Sequence, residues 1–317
     1  MKGKQVRKIL KRVLQSLITI VLLTVILFLL MQLIPGNPII NFLGSNATDE
    51  EIAYYTHLYG YDLPVWQQYV NWIKSMFDGT MGFSVSLQRN VSEIIFSRIG
   101  VTLTLVTWAF IVSVILGVAF GIIAALNRGK AVDTVISILS NAGIAMPVFW
   151  IGIILILIFA IRLGICPSYG YTPISKGLGP WFRGIVLPVT VLSFPSISIF
   201  ARQTRSSMLD VINQDYVMTA KSKGVKKRDI IFKHQLRNAL VPLLTIIVNR
   251  FAQMMGATVL TENIFTLPGM GSLMINSINS RDLQLFVDCI LVIAVFVTVA
   301  NLIVDILYGF IDPRTKE

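Results

Sequence analysis

The chain has 317 residues, 55% of them apolar by type and 14% charged, where a soluble domain carries roughly 45 to 50% and 25%. With a mean hydropathy of +0.74 it has too little polar residue to coat soluble surfaces, which makes it an integral membrane protein. The formal charge of +11 would suggest nucleic acid as a partner in a soluble protein, but here it must be counted loop by loop. Two cysteines, Cys166 and Cys289, are too few for a disulfide scaffold or a cysteine-rich metal site, and each reads as a small apolar residue.

A bilayer core about 30 Å thick takes roughly 20 apolar residues as helix. Long runs without Asp, Glu, Lys or Arg predict spans over 13–34, 99–126 and 134–161. A shorter fourth span, 184–201, carries Pro188 and Pro195 and is expected to kink, as the third is at Pro147, preceded by Gly143. The fifth, 238–261, has Arg250 at its middle, and the sixth, 283–310, has Asp288 and Asp305 near its two ends. The expected fold is therefore an all-α membrane protein with six transmembrane helices.

The basic start followed by apolar residues imitates a secretory signal, but the run 13–34 is longer than the 7 to 15 residues of such a core, so it reads as a retained first helix. Placing residues 1–12 in the cytoplasm puts nineteen Lys and Arg on that side and seven on the other, with Arg250 left in the membrane. That asymmetry predicts both termini inside, with a cytoplasmic tail at 312–317. The positive charge then reports topology beside the lipid bilayer, and no nucleic acid is expected as a partner.

Two segments outside the membrane are long. Residues 35–97 form an external segment rich in aromatics, among them Tyr54, Tyr55, Tyr59, Tyr61, Trp66, Tyr69 and Trp72. Their three- and four-residue spacing predicts a small helical cap, which serves either as an interfacial belt or as a contact for an external partner. The second segment, 202–237, is cytoplasmic. In it Asp215 is placed to cap a helix through Lys223, with Gly224 as a left-handed stop. A second short helix is expected from about Lys227 to Arg237, before Asn238 and Pro242 lead into the fifth span. Two short helices joined by glycine make a compact knob that fits a groove of another protein, with small Ala220 permitting close approach and Tyr216, Val217, Val225 and Ile231 supplying apolar area. A basic loop resting on anionic headgroups is the competing reading of the same residues.

These residues also carry a resemblance. Asp215-Tyr216-Val217-Met218-Thr219-Ala220-Lys221-Ser222-Lys223-Gly224 and His234-Gln235-Leu236-Arg237-Asn238-Ala239-Leu240-Val241-Pro242 resemble the coupling-loop signature of ABC importer permeases. The closer likeness is to the first permease subunit of the dipeptide, oligopeptide and nickel transport family. It extends along nearly the whole chain, through Leu33-Ile34-Pro35-Gly36-Asn37-Pro38, Gly60-Tyr61-Asp62-Leu63-Pro64, Gly79-Thr80-Met81-Gly82-Phe83-Ser84, Pro147-Val148-Phe149-Trp150, Phe265-Thr266-Leu267-Pro268-Gly269-Met270-Gly271 and Asp312-Pro313-Arg314.

The resemblance implies a type I importer permease, with a five-helix core at 98–311 following the first span and the external segment, and no enzyme activity of its own. It implies a homologous second permease as heterodimer partner, two ATP-binding subunits that hold ATP and Mg, and an external substrate-binding protein. Short peptides are the expected cargo, with nickel or metal chelates or other small solutes as the alternative. Tyr216, Val217, Thr219, Ala220, Gly224, His234 and Asn238 are the expected coupling residues. The sequence agrees in lacking a Gly-x-x-x-x-Gly-Lys-Ser/Thr phosphate loop. Its two histidines, His57 and His234, offer no metal cluster.

Arg250 stands where an uncharged residue is expected. A lipid-facing charge at mid-span costs roughly 2.5 to 3.5 kcal/mol, so it must face the pathway or a protein partner. There it meets either an anionic group of the cargo or an acidic residue of the second permease. Arg250, with Pro147 and Trp150 of the third span, makes up the candidate substrate pathway. Two other function classes remain open to the residues alone: an ion-coupled secondary transporter using Arg250, Asp288 and Asp305, and a membrane scaffold that transports nothing.

Overall fold

The computed structural model describes residues 2–34, 38–44 and 47–311. The motif residues 35–37 and 312–314, the tail 312–317 and the side chain of Asp305 lie outside the described residues.

In chain order, the elements are α1 (Lys2–Leu33), α2 (Pro38–Leu43), α3 (Asp49–Leu58), α4 (Val65–Phe77), β1 (Phe83–Ser84), β2 (Arg89–Asn90), α5 (Val91–Leu126), α6 (Ala131–Ala145) and α7 (Val148–Leu155). There follow α8 (Leu178–Ile212), α9 (Asp215–Ser222), α10 (Lys227–Asp229), α11 (Arg237–Ile264), α12 (Met270–Asn279) and α13 (Leu283–Ile311). Wider π-helical turns continue α7 over Ile156–Arg162 and join α10 to α11 over Ile230–Leu236.

Five described helices are long and apolar enough to span a membrane: Leu10–Leu33, Val91–Leu126, Leu178–Ile212, Pro242–Ile264 and Leu283–Leu302. A sixth is reached when the pair Ala131–Ala145 and Val148–Arg162, bent by 110° at its break, is counted as one span. Met146 before Pro147 is extended (φ −75°, ψ 132°), as the clash with a following proline ring dictates. The bend expected in the third span is thus a full break. In the fourth, the kinked short span gives way to an unbroken helix of 35 residues with both prolines inside. The prolines differ in burial: Pro188 is buried and Pro195 half-buried, while Pro147 is exposed. Arg202 and Arg205, expected in a loop, consequently belong to α8.

The chain forms two compact units. The first comprises 1–102 and 268–306. Here α4 lies against two spans, with Leu27 and Phe28 of α1, Trp72 of α4, and Val287 and Leu291 of α13 buried together. Phe28 stacks on Trp72 at 5.8 Å between ring centroids. Thr48 and Glu51 close a reciprocal capping box that starts α3. Asp282 accepts from Ser84 Oγ at 2.6 Å and from the Ser86 amide and hydroxyl at 3.1 and 2.7 Å, which ties the small β1–β2 hairpin to the start of α13. That hairpin is absent from the helical cap expected for this segment. Cys289 is a fully buried core residue, in keeping with its reading as a small apolar side chain.

The second unit comprises 103–267 with the chain end from 307. Its axis is α8. Gly117 and Gly121 of α5 abut α8, and a Cβ at Gly117 would sit 2.5 Å from Phe200 Cβ, while one at Gly121 would sit 2.7 Å from the Ala201 carbonyl. In lipid, where burial of apolar surface drives little, such close backbone approach is what holds helices together. Gly143 of α6 abuts Ser198 and Phe194 on the same helix, and Gly152 of α7 abuts Ile264 of α11 and Val191 of α8.

Candidate coupling knob and translocation pathway

The knob is built from α9, α10 and the π-helical turns that follow. Asp215 is the first helical residue of α9, not its cap; Gln214 is the N-cap and makes no side-chain cap bond. An acidic residue in the first turn still complements the helix dipole. Thr219 Oγ1 donates back to the Asp215 carbonyl at 2.9 Å. Gly224 ends the helix at φ +73°, the left-handed conformation expected of it, and the Val225 amide then donates to the Ala220 carbonyl at 3.2 Å.

Val217 and Ala220 turn inward. With Ile230 they form a buried cluster against Val211 and Val225, and Ala220 is 7% exposed. The close approach that alanine permits is thus between α9 and the chain's own following turns. Tyr216, Met218 and Thr219 face outward, as does Phe232 on the π-helical turns. Lys233 lies 2.8 Å from Asp229 and holds that exposed carboxyl below its ordinary range. His234 is half-buried, and its carbonyl accepts from Asn238 Nδ2 at 2.7 Å. That bond gives the His234 carbonyl a donor at a place where wide turns give way to an α-helix. The second short helix expected at 227–237 is therefore not separate: its turns run without a break into α11.

Arg250 stands on α11 at mid-span, half-buried. Its Nε donates to Ser196 Oγ of α8 at 2.9 Å, and its other bond, at 2.7 Å, goes to Gln253 Oε1. Both acceptors are neutral, and among the described residues no carboxylate pairs with it in a salt bridge. The outward face of α11 continues the polar character through Thr245, Asn249, Gln253 and Asn263. Pro147 is the N-cap of α7, and Trp150 is 46% exposed. The structure brings the α6–α7 break within one helical turn of Gly143, which rests on Phe194 and Ser198 either side of the Ser196 that holds Arg250.

Sequence reasoning missed the residues that hold these in place. Asp133 of α6 is buried and meets Arg205 of α8 with two bonds, Nε to Oδ1 at 2.6 Å and the terminal nitrogen to Oδ2 at 2.8 Å. Opposite charges beside two apolar runs were the available signal, but only the extension of α8 past residue 201 makes them partners.

Solved structures share this architecture. An inward-facing methionine ABC transporter, MetNI, superposes with a TM-score of 0.57 at 13% identity, covering 69% of this chain and 96% of that one. An amino acid ABC transporter solved with histidines gives 0.54 at 15% identity, covering 69% and 94%. The fold is that of a type I ABC importer permease. Residues 117–317 match the binding-protein-dependent transport system inner membrane component family, and 5–106 match the N-terminal domain of such membrane components. The chain is 38% identical over 308 residues to a probable peptide ABC transporter permease of Sinorhizobium fredii, covering 97% of this chain and 98% of the relative. It is 35% identical over 311 residues to the oligopeptide transport system permease AppB of Bacillus subtilis, with coverage of 97% and 98%. The chain belongs to the binding-protein-dependent transport system inner membrane component family, and it is a multi-pass permease subunit of an ABC transporter.

Proposed function

We propose that this permease forms half of an import pathway for short peptides and is driven by ATPase subunits that grip its knob. The observation that carries the reading is the way the knob is mounted. α9 follows α8 after two residues, and the turns after α10 continue as α11, so the knob sits directly on the two helices that hold Arg250. A movement of the knob has no slack linker in which to dissipate. The peptide cargo is supported by the names of the near full-length relatives.

In this reading Tyr216, Val217, Thr219, Ala220, Gly224, His234 and Asn238 serve coupling in two ways. Tyr216 and Thr219, with Met218 and Phe232, offer the surface; Val217, Ala220, Gly224 and Asn238 keep its shape, and His234 supplies the carbonyl that Asn238 holds. Both termini and the knob are cytoplasmic, and the segment carrying α2 to α4 faces the external binding protein. A homologous permease completes the pathway as a heterodimer, and two ATPase subunits bind ATP and Mg. ATP-driven closure of that pair shifts the knob and opens the cavity outward, and hydrolysis returns it inward. Arg250, Pro147 and Trp150 line the path.

The test is peptide uptake by the reconstituted complex, with ATPase copurification, for Tyr216→Ala/Met218→Ala against neutralisation of Lys221, Lys223, Lys226 and Lys227. Coupling predicts that the first pair abolishes uptake and weakens ATPase binding. A loop that only rests on headgroups predicts that the lysines matter most. Arg250→Gln with uptake unchanged for every peptide would remove Arg250 from the pathway.

A further inference from the structure

Helix α6 is fastened to α8 at both ends. At its first turn, Asp133 takes two bonds from Arg205 and a third from the Gly129 amide at 3.0 Å, and the carboxylate is buried. Ten residues further on, Gly143 lies against Ser198 and Phe194 with no room for a side chain between them. The matching points on α8 are seven and eleven residues back from Arg205, which is the spacing of two antiparallel helices in continuous contact. α6 has 15 residues, about 22 Å of helix. A two-pronged guanidinium–carboxylate bond fixes orientation as well as distance.

The two fastenings lie in telling places. Arg205 is ten residues before Asp215, on the stretch of α8 that carries the knob. Gly143 is four residues before Pro147, where the span breaks, and it faces the turn of α8 from which Ser196 holds Arg250. We propose that α6 acts as a strut, pinned near the knob by the Asp133–Arg205 pair, that carries knob displacement to the α6–α7 break beside the pathway. Asp133 and Arg205 are then positioning residues for transport; they touch neither cargo nor nucleotide. This rests on the importer reading above.

The experiment uses the complete transporter in proteoliposomes and measures peptide taken up per ATP hydrolysed, for wild type, Asp133→Asn, Arg205→Gln and the double variant. Each single variant should assemble and hydrolyse ATP while uptake per ATP falls about fivefold or more. The double variant should be no worse than either single one, because both remove the same pin. A wild-type ratio in Asp133→Asn overturns the strut. So do losses that multiply in the double variant, and so does a fall in assembled complex with the ratio intact, which marks the pair as a fold stabiliser only. If Asp133→Asn does not assemble, Arg205→Lys, which keeps the charge and loses the two-pronged geometry, takes its place under the same criterion. Wild-type complex without ATP-driven uptake would bring down the importer reading and the strut with it, whereas transport by the wild type beside an unchanged variant ratio removes the strut alone.

Discussion

Among the short-helix regions outside the spans, two are fastened in opposite ways. α4 is locked onto long helices by aromatic stacking and by a buried carboxylate: Asp288 of α13, fully buried, accepts from Trp72 Nε1 and Gln284 Nε2, both at 2.8 Å. Among the described residues the knob has no comparable polar lock. Apolar packing and a glycine turn hold it, with Val217, Ala220 and Ile230 clustered against Val211 and Val225 and with Ile231 and Leu236 against Ala125, Met208 and Ala239, and its outer face leaves Tyr216, Met218 and Phe232 in the open. A fully satisfied buried polar group fixes one arrangement, because every alternative strands a donor or acceptor. A small apolar cluster around a left-handed glycine keeps a local shape while committing little energy to it. The first region is fixed by a buried polar lock, and the second keeps its shape by apolar packing while leaving an apolar face exposed.

The largest effect should follow from breaking the lock. Trp72→Ala removes the ring stacked on Phe28 and leaves one Asp288 oxygen without its donor, at a cost of about 3 to 5 kcal/mol. Trp72→Phe keeps most of the packing and strands only the carboxylate, at about 1 to 3 kcal/mol. Thermal unfolding of the detergent-solubilised complex should rank them in that order, both below wild type. Equal midpoints for Trp72→Phe and wild type would show that the hydrogen bond contributes nothing and that stacking alone fixes α4.

Knob substitutions should separate function from stability. Ala220→Asp forces a charge between Val217 and Ile230, so α9 leaves its seat; uptake should fall about tenfold or more, while the thermal midpoint stays close to wild type. A large loss of midpoint would erase the contrast between the two regions. Gly224→Val is milder. It places a branched side chain at φ +73°, strained by about 1 to 2 kcal/mol, with open space around the new Cβ. A reduction in uptake smaller than that of Ala220→Asp is expected, together with greater protease sensitivity at 222–226. Gly224→Asn, which tolerates the left-handed region better, should lie nearer wild type.

How much of this was legible in the sequence differs between the same two regions. The glycine stop after α9 was readable because left-handed backbone has a residue-level signature, and the observed φ at Gly224 matches it. The long spans were readable because length and apolarity are local properties. The lock was not: Trp72 and Asp288 are 216 positions apart, and Asp288 reads from sequence as a carboxylate near a helix end. Proline was ambiguous for a related reason. Pro147, Pro188 and Pro195 impose the same local penalty, yet α8 runs unbroken through buried Pro188 and half-buried Pro195 while the span breaks at exposed Pro147. The π-helical turns at 230–236, which merge a predicted short helix into α11, have no composition of their own. The inward orientation of Ala220 depends on where Ile230 arrives, so a residue read as a partner contact proves to be part of the knob's interior.

The smallest effect belongs to the surface of the first region, where polar contacts are many and decide little. His57 Nδ1 lies 2.7 Å from Asp62 Oδ2, and the imidazole is well exposed. The carboxylate raises the His57 pKa above its ordinary value of 6.5, and the same hydrogen bond lowers that of Asp62 below 3.8. The histidine's contribution is therefore complete below pH 6.5 and is lost as pH rises through its raised value. The aspartate's is complete above pH 3.8 and is lost as pH falls through its lowered value, so the pair is fully formed between those two limits. Solvent screening leaves such an exposed pair little weight in stability. Histidine-selective NMR titration can read it directly, since His234 is the chain's other histidine and its signal is removed by His234→Gln. Asp62→Asn should lower the His57 midpoint without moving the thermal midpoint at pH 5.5. A drop in thermal midpoint as large as that of Trp72→Phe would mean that the surface pair shares the work of the buried lock, and the contrast between a fastened interior and a permissive surface would fail within this region itself.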